Sequence, residues 1–218
     1  MSTIQGIHNI GNSCYFASLI QCLRDSLREY PREHSLLDLY IKGDDTKGIK
    51  SIWSYVDGSM HDPHELYMKF IDILPQSISR HFMIEYEGGV RMCHLPITTN
   101  LENSAESIKY APDVICVYRV PSSQKVSSFS SLEIDIPSRT QTVTNRYIMR
   151  SCICYIHGSN GKDALLWHGD QPSMQGIDHY YALVHRNNTW LKCDDSRVYP
   201  VDSKLLKFPI YMIFYVKQ

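Results

Sequence analysis

The residues best suited to chemistry are a cysteine at a helix start and a histidine that a hairpin brings beside an aspartate. Cys14 follows Gly11-Asn12-Ser13 and opens a segment in which Phe16, Leu19, Ile20, Leu23 and Leu27 recur at helical spacing, closed by Pro31. Asn12 and Ser13 are suited to cap that helix. Unpaired backbone N–H groups and the positive end of the helix dipole favour a thiolate there. The same geometry offers the residue's own N–H to an oxyanion. A plain buried cysteine would show the same spacing, so the position alone leaves both readings open.

Ten histidines are present, and the informative one is His179. Two strand-like runs flank Asn187-Asn188, a dipeptide that makes a two-residue hairpin turn. With that loop, Arg186 faces Thr189, Leu183 faces Lys192 and Tyr181 faces Asp194. His179 then shares a face with Asp194 as a diagonal neighbour, at about 7–8 Å between backbones, where long side chains still meet. Asp195 faces Tyr180 on the other side, and His185 at the turn end has no carboxylate beside it. Cysteine, histidine and aspartate in that order follow the logic of a nucleophile, a base and a residue orienting the base. A surface His–Asp pair on an exposed hairpin is the competing reading.

The elements that must hold these groups change character along the chain. A second helix is expected through Ile49, Ile52, Trp53 and Val56. A third has Asp62 as N-cap, Pro63 in its first position and Glu65 completing a capping box, then Leu66, Phe70, Ile71 and Leu74 before Pro75. After Pro75 the runs read as strands. Phe82 to Tyr86 and Val90 to Leu95 flank Gly88-Gly89 as a hairpin, Val114 to Val120 suits a buried strand, and Leu132 to Ile136 alternates. Tyr147 to Ile156, Tyr180 to His185, Trp190 to Asp194 and Ile210 to Val216 follow. The serine-rich stretch 121–131 and the glycine-bearing stretch 157–177 are expected as loops. Helices first and antiparallel strands after predict an α+β domain.

Composition narrows the function classes. A chain of 218 residues with 43% hydrophobic and 21% charged residues suits one globular domain. A formal net charge of −1 supplies no field for nucleic acid or an anionic membrane. The longest apolar run, Ile210 to Val216, is too short to span a bilayer, and the start of the chain lacks the pattern of a signal peptide. Seven cysteines without framework spacing are expected to be reduced thiols. The expectation is a cytoplasmic monomer, with the nucleus, or a host cytoplasm for a viral or bacterial effector, as alternatives.

Four segments then resemble boxes of the ubiquitin-specific proteases, in family order. Gly6-Ile-His-Asn9-Ile-Gly-Asn12-Ser-Cys14-Tyr-Phe-Ala-Ser18-Leu-Ile-Gln21-Cys-Leu23 resembles the cysteine box, G-L-x-N-L-G-N-T-C-Y-M-N-S-x-L-Q-x-L. His61-Asp62-Pro-His64-Glu65-Leu66 is similar to the Q-D-A-H-E-F box. His179-Tyr180-Tyr-Ala-Leu-Val with Trp190 and Asp194-Asp195 resembles the G-H-Y-x-A-Y-V…W…F-D-D box, and Ile210-Tyr-Met-Ile-Phe-Tyr215-Val the closing strand.

The resemblance implies a papain-like cysteine protease fold, a helical thumb over residues 1–80 packed on a β-rich palm over 81–218, as one catalytic domain. It implies a deubiquitinase that cuts after the C-terminal glycine of ubiquitin, with ubiquitin and ubiquitin-conjugated proteins as partners and no cofactor. In that scheme Cys14 is the nucleophile, His179 the base, Asp194 its orienting acid and Asn9 an oxyanion donor. Asp62 and Glu65 would meet ubiquitin's arginine-containing tail, although a capping box explains the same pair, and Tyr180 would line the channel for the terminal glycines. An inactive ubiquitin-binding module, or another acyl-transfer enzyme with the same triad, remains an alternative.

Departures from the family pattern are His61 for Gln, Asp178 for Gly and Ala17 for Asn. Asp178 adds a charge beside the base, which would raise its pKa. No Cys-x-x-Cys pair is present, so no zinc ribbon is expected, chelators should not matter, and the fingers should be a stub. Cys152 and Cys154 should face one side of a strand in the core, and a metal site joining them to Cys93 and His94 is the rarer alternative.

Overall fold

A computed structural model describes residues 4–42, 58–96, 108–118, 131–137, 142–156, 178–201 and 210–218. The helix expected through Ile49 to Val56 and the two long loop stretches lie outside the described residues, apart from Ser131. Helices α1 (Cys14–Ser26), α2 (Pro31–Lys42), α3 (Pro63–Ile73) and α4 (Gln76–Ser79) precede the described strands, which begin at Ile84. Strands β1 (Ile84–Tyr86), β2 (Arg91–Met92) and β4 (Ile108–Tyr110) form a small sheet in the order β2-β1-β4. The large sheet runs β10 (Arg197–Val201), β9 (Thr189–Asp194), β8 (His179–Arg186), β7 (Thr142–Ile156), β11 (Ile210–Lys217), β5 (Val114–Tyr118) and β3 (His94–Pro96). β6 (Ser131–Pro137) pairs with the first half of β7.

The central strands read as continuous apolar runs because both faces of the sheet are covered. Along β11, Met212, Phe214 and Val216 pack with α1 and α3, while Ile213 and Tyr215 enter a second core on the far side. Along β8, Ala182 and Val184 face the helices, and Tyr181 and Leu183 face away. α1 lies between α3 and the sheet, against β7 and β8, and is buried nearly all round. Its polar residues therefore need internal partners. Gln21 Nε2 donates to the Gln5 carbonyl at 2.7 Å, and the fully buried Asp25 accepts from Arg186 Nε at 2.9 Å. That ion pair ties the end of α1 to the end of β8. Replacing Asp25 with alanine should cost about 3 kcal/mol of stability, because it takes the buried carboxylate away from a largely buried guanidinium, and urea unfolding midpoints would measure it.

Two differences from the sequence reading have physical causes. Pro31 begins α2, where its missing N–H and fixed φ suit the first helical position, so a residue read as a stop is also a start. The run Val90 to Leu95 divides at Cys93. β2 pairs antiparallel with β1 beyond a turn in which Gly88 and Gly89 both have positive φ, and β3 joins the large sheet parallel to β5. The Tyr67 hydroxyl donates to the Cys93 carbonyl at 2.7 Å and fixes that crossing. Cys152 and Cys154 do share a face, with sulfurs 4.0 Å apart in the far core, whereas Cys93 packs against the helical core. The alternative metal site is therefore not assembled among the described residues. No described helix is long and apolar enough to cross a membrane.

Candidate active site

Asn187 and Asn188 both have positive φ, 50° and 59°, as the tight β8–β9 turn requires. The register that follows pairs Arg186 with Thr189, Leu183 with Lys192 and Ala182 with Cys193. At the far end of this hairpin His179 Nε2 and Asp194 Oδ1 are 2.7 Å apart. The imidazole is buried, and burial alone would push its pKa down. The hydrogen bonds to Asp194 and to Cys14 outweigh that and raise it to about 10. Asp194 is also buried, yet His179 and the Lys192 ammonium hold its carboxyl well below the usual range. Cys14, at the start of α1, also engages the imidazole that Asp194 holds.

Stability follows with a definite sign. The raised His179 pKa contributes stability that is complete below the unfolded value near 6.5 and fades as pH rises through about 10. The lowered Asp194 pKa contributes above its unfolded value near 3.9 and fades as pH falls through the native value. The stability difference between the native chain and an Asp194→Asn variant should thus be largest at pH 5 to 6 and shrink steadily toward pH 10. Urea unfolding at several pH values would measure it.

The segment before Cys14 is folded around Asn9. Asn9 Oδ1 accepts from Gly11 N at 2.9 Å, Ser13 N at 3.2 Å and Ser13 Oγ at 3.0 Å. Gly11 and Asn12 take positive φ to make that possible. Ser13 is the residue at the helix cap, but its side chain makes no capping bond, since its hydroxyl is engaged with Asn9 and Ile10 N. Asn9 Nδ2 donates to Asp195 Oδ2 at 2.9 Å, and Ile7 N donates to the Asp195 carbonyl at 2.9 Å. The two adjacent aspartates therefore have separate partners, one the imidazole and the other the asparagine.

Gly6 makes this clamp possible. A Cβ there would lie 2.2 Å from the Ser196 carbonyl oxygen, backbone that cannot step aside cheaply. Gly6→Ala should lift the segment off the β9–β10 turn and displace Asn9. A loss of about 1–3 kcal/mol in stability, of the size that overpacking costs, is expected. Urea unfolding would measure it.

Asp62 caps α3, accepting from His64 N at 2.7 Å on Oδ1, and its Oδ2 accepts from the Tyr211 hydroxyl. Both carboxylate oxygens are thus engaged inside the protein, whereas Glu65 is exposed. Tyr180 is buried, with its ring 4.8 Å from that of Tyr155 and 5.7 Å from that of Tyr211. Tyr118 extends the row, 5.4 Å from Tyr211. The sequence singles out Tyr180 alone; Tyr155 is its direct cross-strand partner, a pairing across a long connection that no local pattern reports. The Asp178 carboxylate engages the Tyr155 hydroxyl, and the carboxylate that dominates the imidazole is Asp194.

His179, Asp194 and Asp195 are the described group whose donor atoms, within 4.8 Å of one another, could hold a metal ion. His179 and Asp194 already bind each other, Lys192 faces Asp194 Oδ2, and Asp195 Oδ2 accepts from Asn9, an arrangement that suits proton handling better than ligation.

The architecture, mixed helix and sheet with a β-rich core, is similar to that of the solved Ubp8. No protein-family model matches the sequence, and no curated protein matches it. The solved SAGA Ubp8/Sgf11/Sus1/Sgf73 deubiquitinase module bound to ubiquitin aldehyde is similar over 99% of this chain and 70% of that chain, with a TM-score of 0.65 and 14% identity. A Ubp8 variant in the same module, bound to monoubiquitin, gives a TM-score of 0.62 at 14% identity, covering 99% and 69% of the two chains. An essential yeast splicing factor gives 0.58 at 10% identity, covering 98% and 69%.

Proposed function

We propose that this protein is a deubiquitinase that hydrolyses the peptide or isopeptide bond after the C-terminal glycine of ubiquitin. The observation that carries the reading is the buried imidazole of His179, held by Asp194 at 2.7 Å and engaged by Cys14 at a helix start. The ubiquitin bound in the similar Ubp8 structures supports the choice of substrate. Cys14 Sγ attacks the glycine carbonyl as a thiolate beside the imidazolium. An amide nitrogen carries two N–H bonds, so Asn9 Nδ2 can hold Asp195 with one and give the other to the oxyanion, together with the Cys14 N–H. His179 gives its proton to the leaving amine as the C–N bond breaks. It then takes a proton from the water that cleaves the thioester and releases the ubiquitin carboxylate. Glu65, exposed at the start of α3, is the acid left to meet the basic tail, with Tyr180 beside the terminal glycines.

A splicing factor shares this fold, so the fold alone does not require a deubiquitinase, and a ubiquitin-binding module without activity is the second reading. Incubation with ubiquitin carrying a C-terminal electrophile distinguishes the readings. An adduct of one ubiquitin, absent in Cys14→Ala, is the expected result. Binding without an adduct would favour the inactive module, and neither adduct nor binding would point to a different acyl-transfer substrate.

A further inference from the structure

Lys192 is the most deeply buried charged side chain near the site, 1% exposed and pointing inward from β9. A lysine so placed needs strong compensation, because removing an ammonium from water is costly. Its Nζ lies 2.9 Å from Asp194 Oδ2, off the line of a hydrogen bond, and 4.2 Å from the centre of the Tyr181 ring. The Tyr199 ring lies beyond at 5.8 Å. Each Asp194 oxygen thus has a separate cationic partner, His179 on Oδ1 and Lys192 on Oδ2.

We propose that Lys192 is a positioning residue which fixes the Asp194 carboxylate from behind and sets how firmly His179 holds its proton. The inference rests on the triad assigned above. Two oxygens pinned by two partners leave the carboxylate no rotation about its terminal bond, so Oδ1 stays aimed at Nε2. The second effect is electrostatic. A buried cation behind the acid offsets part of its charge, so the imidazolium is held less tightly than by an unshared carboxylate. An imidazolium held too firmly is a poorer acid toward a leaving amine. The other titratable groups around this cluster, among the described residues, include Cys14 from α1, Cys154 from β7, Tyr181 from β8, Cys193 from β9, Tyr199 from β10, Asp195 from the β9–β10 turn and His8, which acts on Asp195.

The test is an NMR titration of the His179 ring, which needs no catalytic activity and so does not depend on the proposed function. Lys192→Met keeps the bulk of the stem and removes the charge. It should move the His179 midpoint up by about one pH unit. Where the enzyme turns over, the basic limb of the pH–rate profile should move the same way, and kcat should fall about tenfold with KM little changed. Lys192→Met combined with Asp194→Asn removes both buried charges and keeps the test available if the single variant folds poorly. In that background losing Lys192 should move the His179 midpoint much less than it does with Asp194 in place. A lysine that merely fills space would lower stability and leave the midpoint where it was. That outcome, or an equal shift with and without Asp194, would overturn the proposal. An inactive wild-type enzyme would count against the proposed function and leave the titration as the arbiter of this one.

Discussion

Cys14→Ala is expected to reduce hydrolysis of a ubiquitin C-terminal fluorogenic amide by at least about four orders of magnitude, while leaving ubiquitin binding measurable. The magnitude follows from the mechanism. Without Sγ no acyl-enzyme forms, and what remains is the small advantage of binding and oxyanion donors acting on water. The fold should survive. Cys14 is buried in the first turn of α1, and alanine is the best helix former, so the cost is the loss of one sulfur from a packed position. A second readout ties the effect to the site. The Cys14 interaction is one of those raising the His179 pKa to about 10, so its removal should lower the midpoint of the ring in the same variant. Calorimetry with ubiquitin, steady-state kinetics and an NMR titration on one preparation would cover the three expectations. Retained turnover in the alanine variant would exclude Cys14 as the nucleophile and with it the proposed mechanism.

The hairpin that carries His179 and Asp194 was legible because its register depends on local chemistry. Asn187-Asn188 tolerates the left-handed backbone of a two-residue turn, and the rest is counting along strands of period two. The start of α3 was legible for the same reason, with Asp62, Pro63 and the apolar spacing all within a few residues. Interactions between distant segments were not. Asp195 meets Asn9, 186 positions earlier, and no local pattern reports that pairing. Lys192 was counted as a partner of Leu183, but its function as a buried cation appears only once Tyr181, Tyr199 and Asp194 surround it. The parallel pairing of β3 with β5 was hidden inside one apolar run, since periodicity shows where a strand lies and not which neighbour it joins. The far core was expected only in part: continuous runs such as Val114 to Tyr118 signal burial on two faces without naming what covers each.

Asp194→Asn should lower kcat/KM by about four orders of magnitude, and Asp195→Asn by far less. The argument turns on what an amide does at each position. At 194 the Lys192 ammonium stands 2.9 Å from Oδ2, so it draws the amide oxygen to itself and turns the NH2 toward His179 Nε2. That nitrogen must then accept, which moves the imidazole proton to Nδ1 and removes the base that Cys14 needs. At 195 an amide oxygen can still accept from Asn9 Nδ2, as Oδ2 does now at 2.9 Å, so the asparagine stays in place. Asp195→Ala is the more severe change there. It leaves the Asn9 amide held through Oδ1 alone, so Nδ2 is aimed less firmly at the oxyanion, and should cost up to about a hundredfold in kcat, the size of one lost oxyanion donor. Because Asn9 and Asp195 act through one hydrogen bond, Asn9→Ala and Asp195→Ala combined should cost little more than Asn9→Ala alone. Kinetics for these variants, measured side by side, assign the two acids. Greater damage from Asp195→Asn than from Asp194→Asn would mean that the oxyanion side limits the reaction and that the orienting role given to Asp194 is wrong.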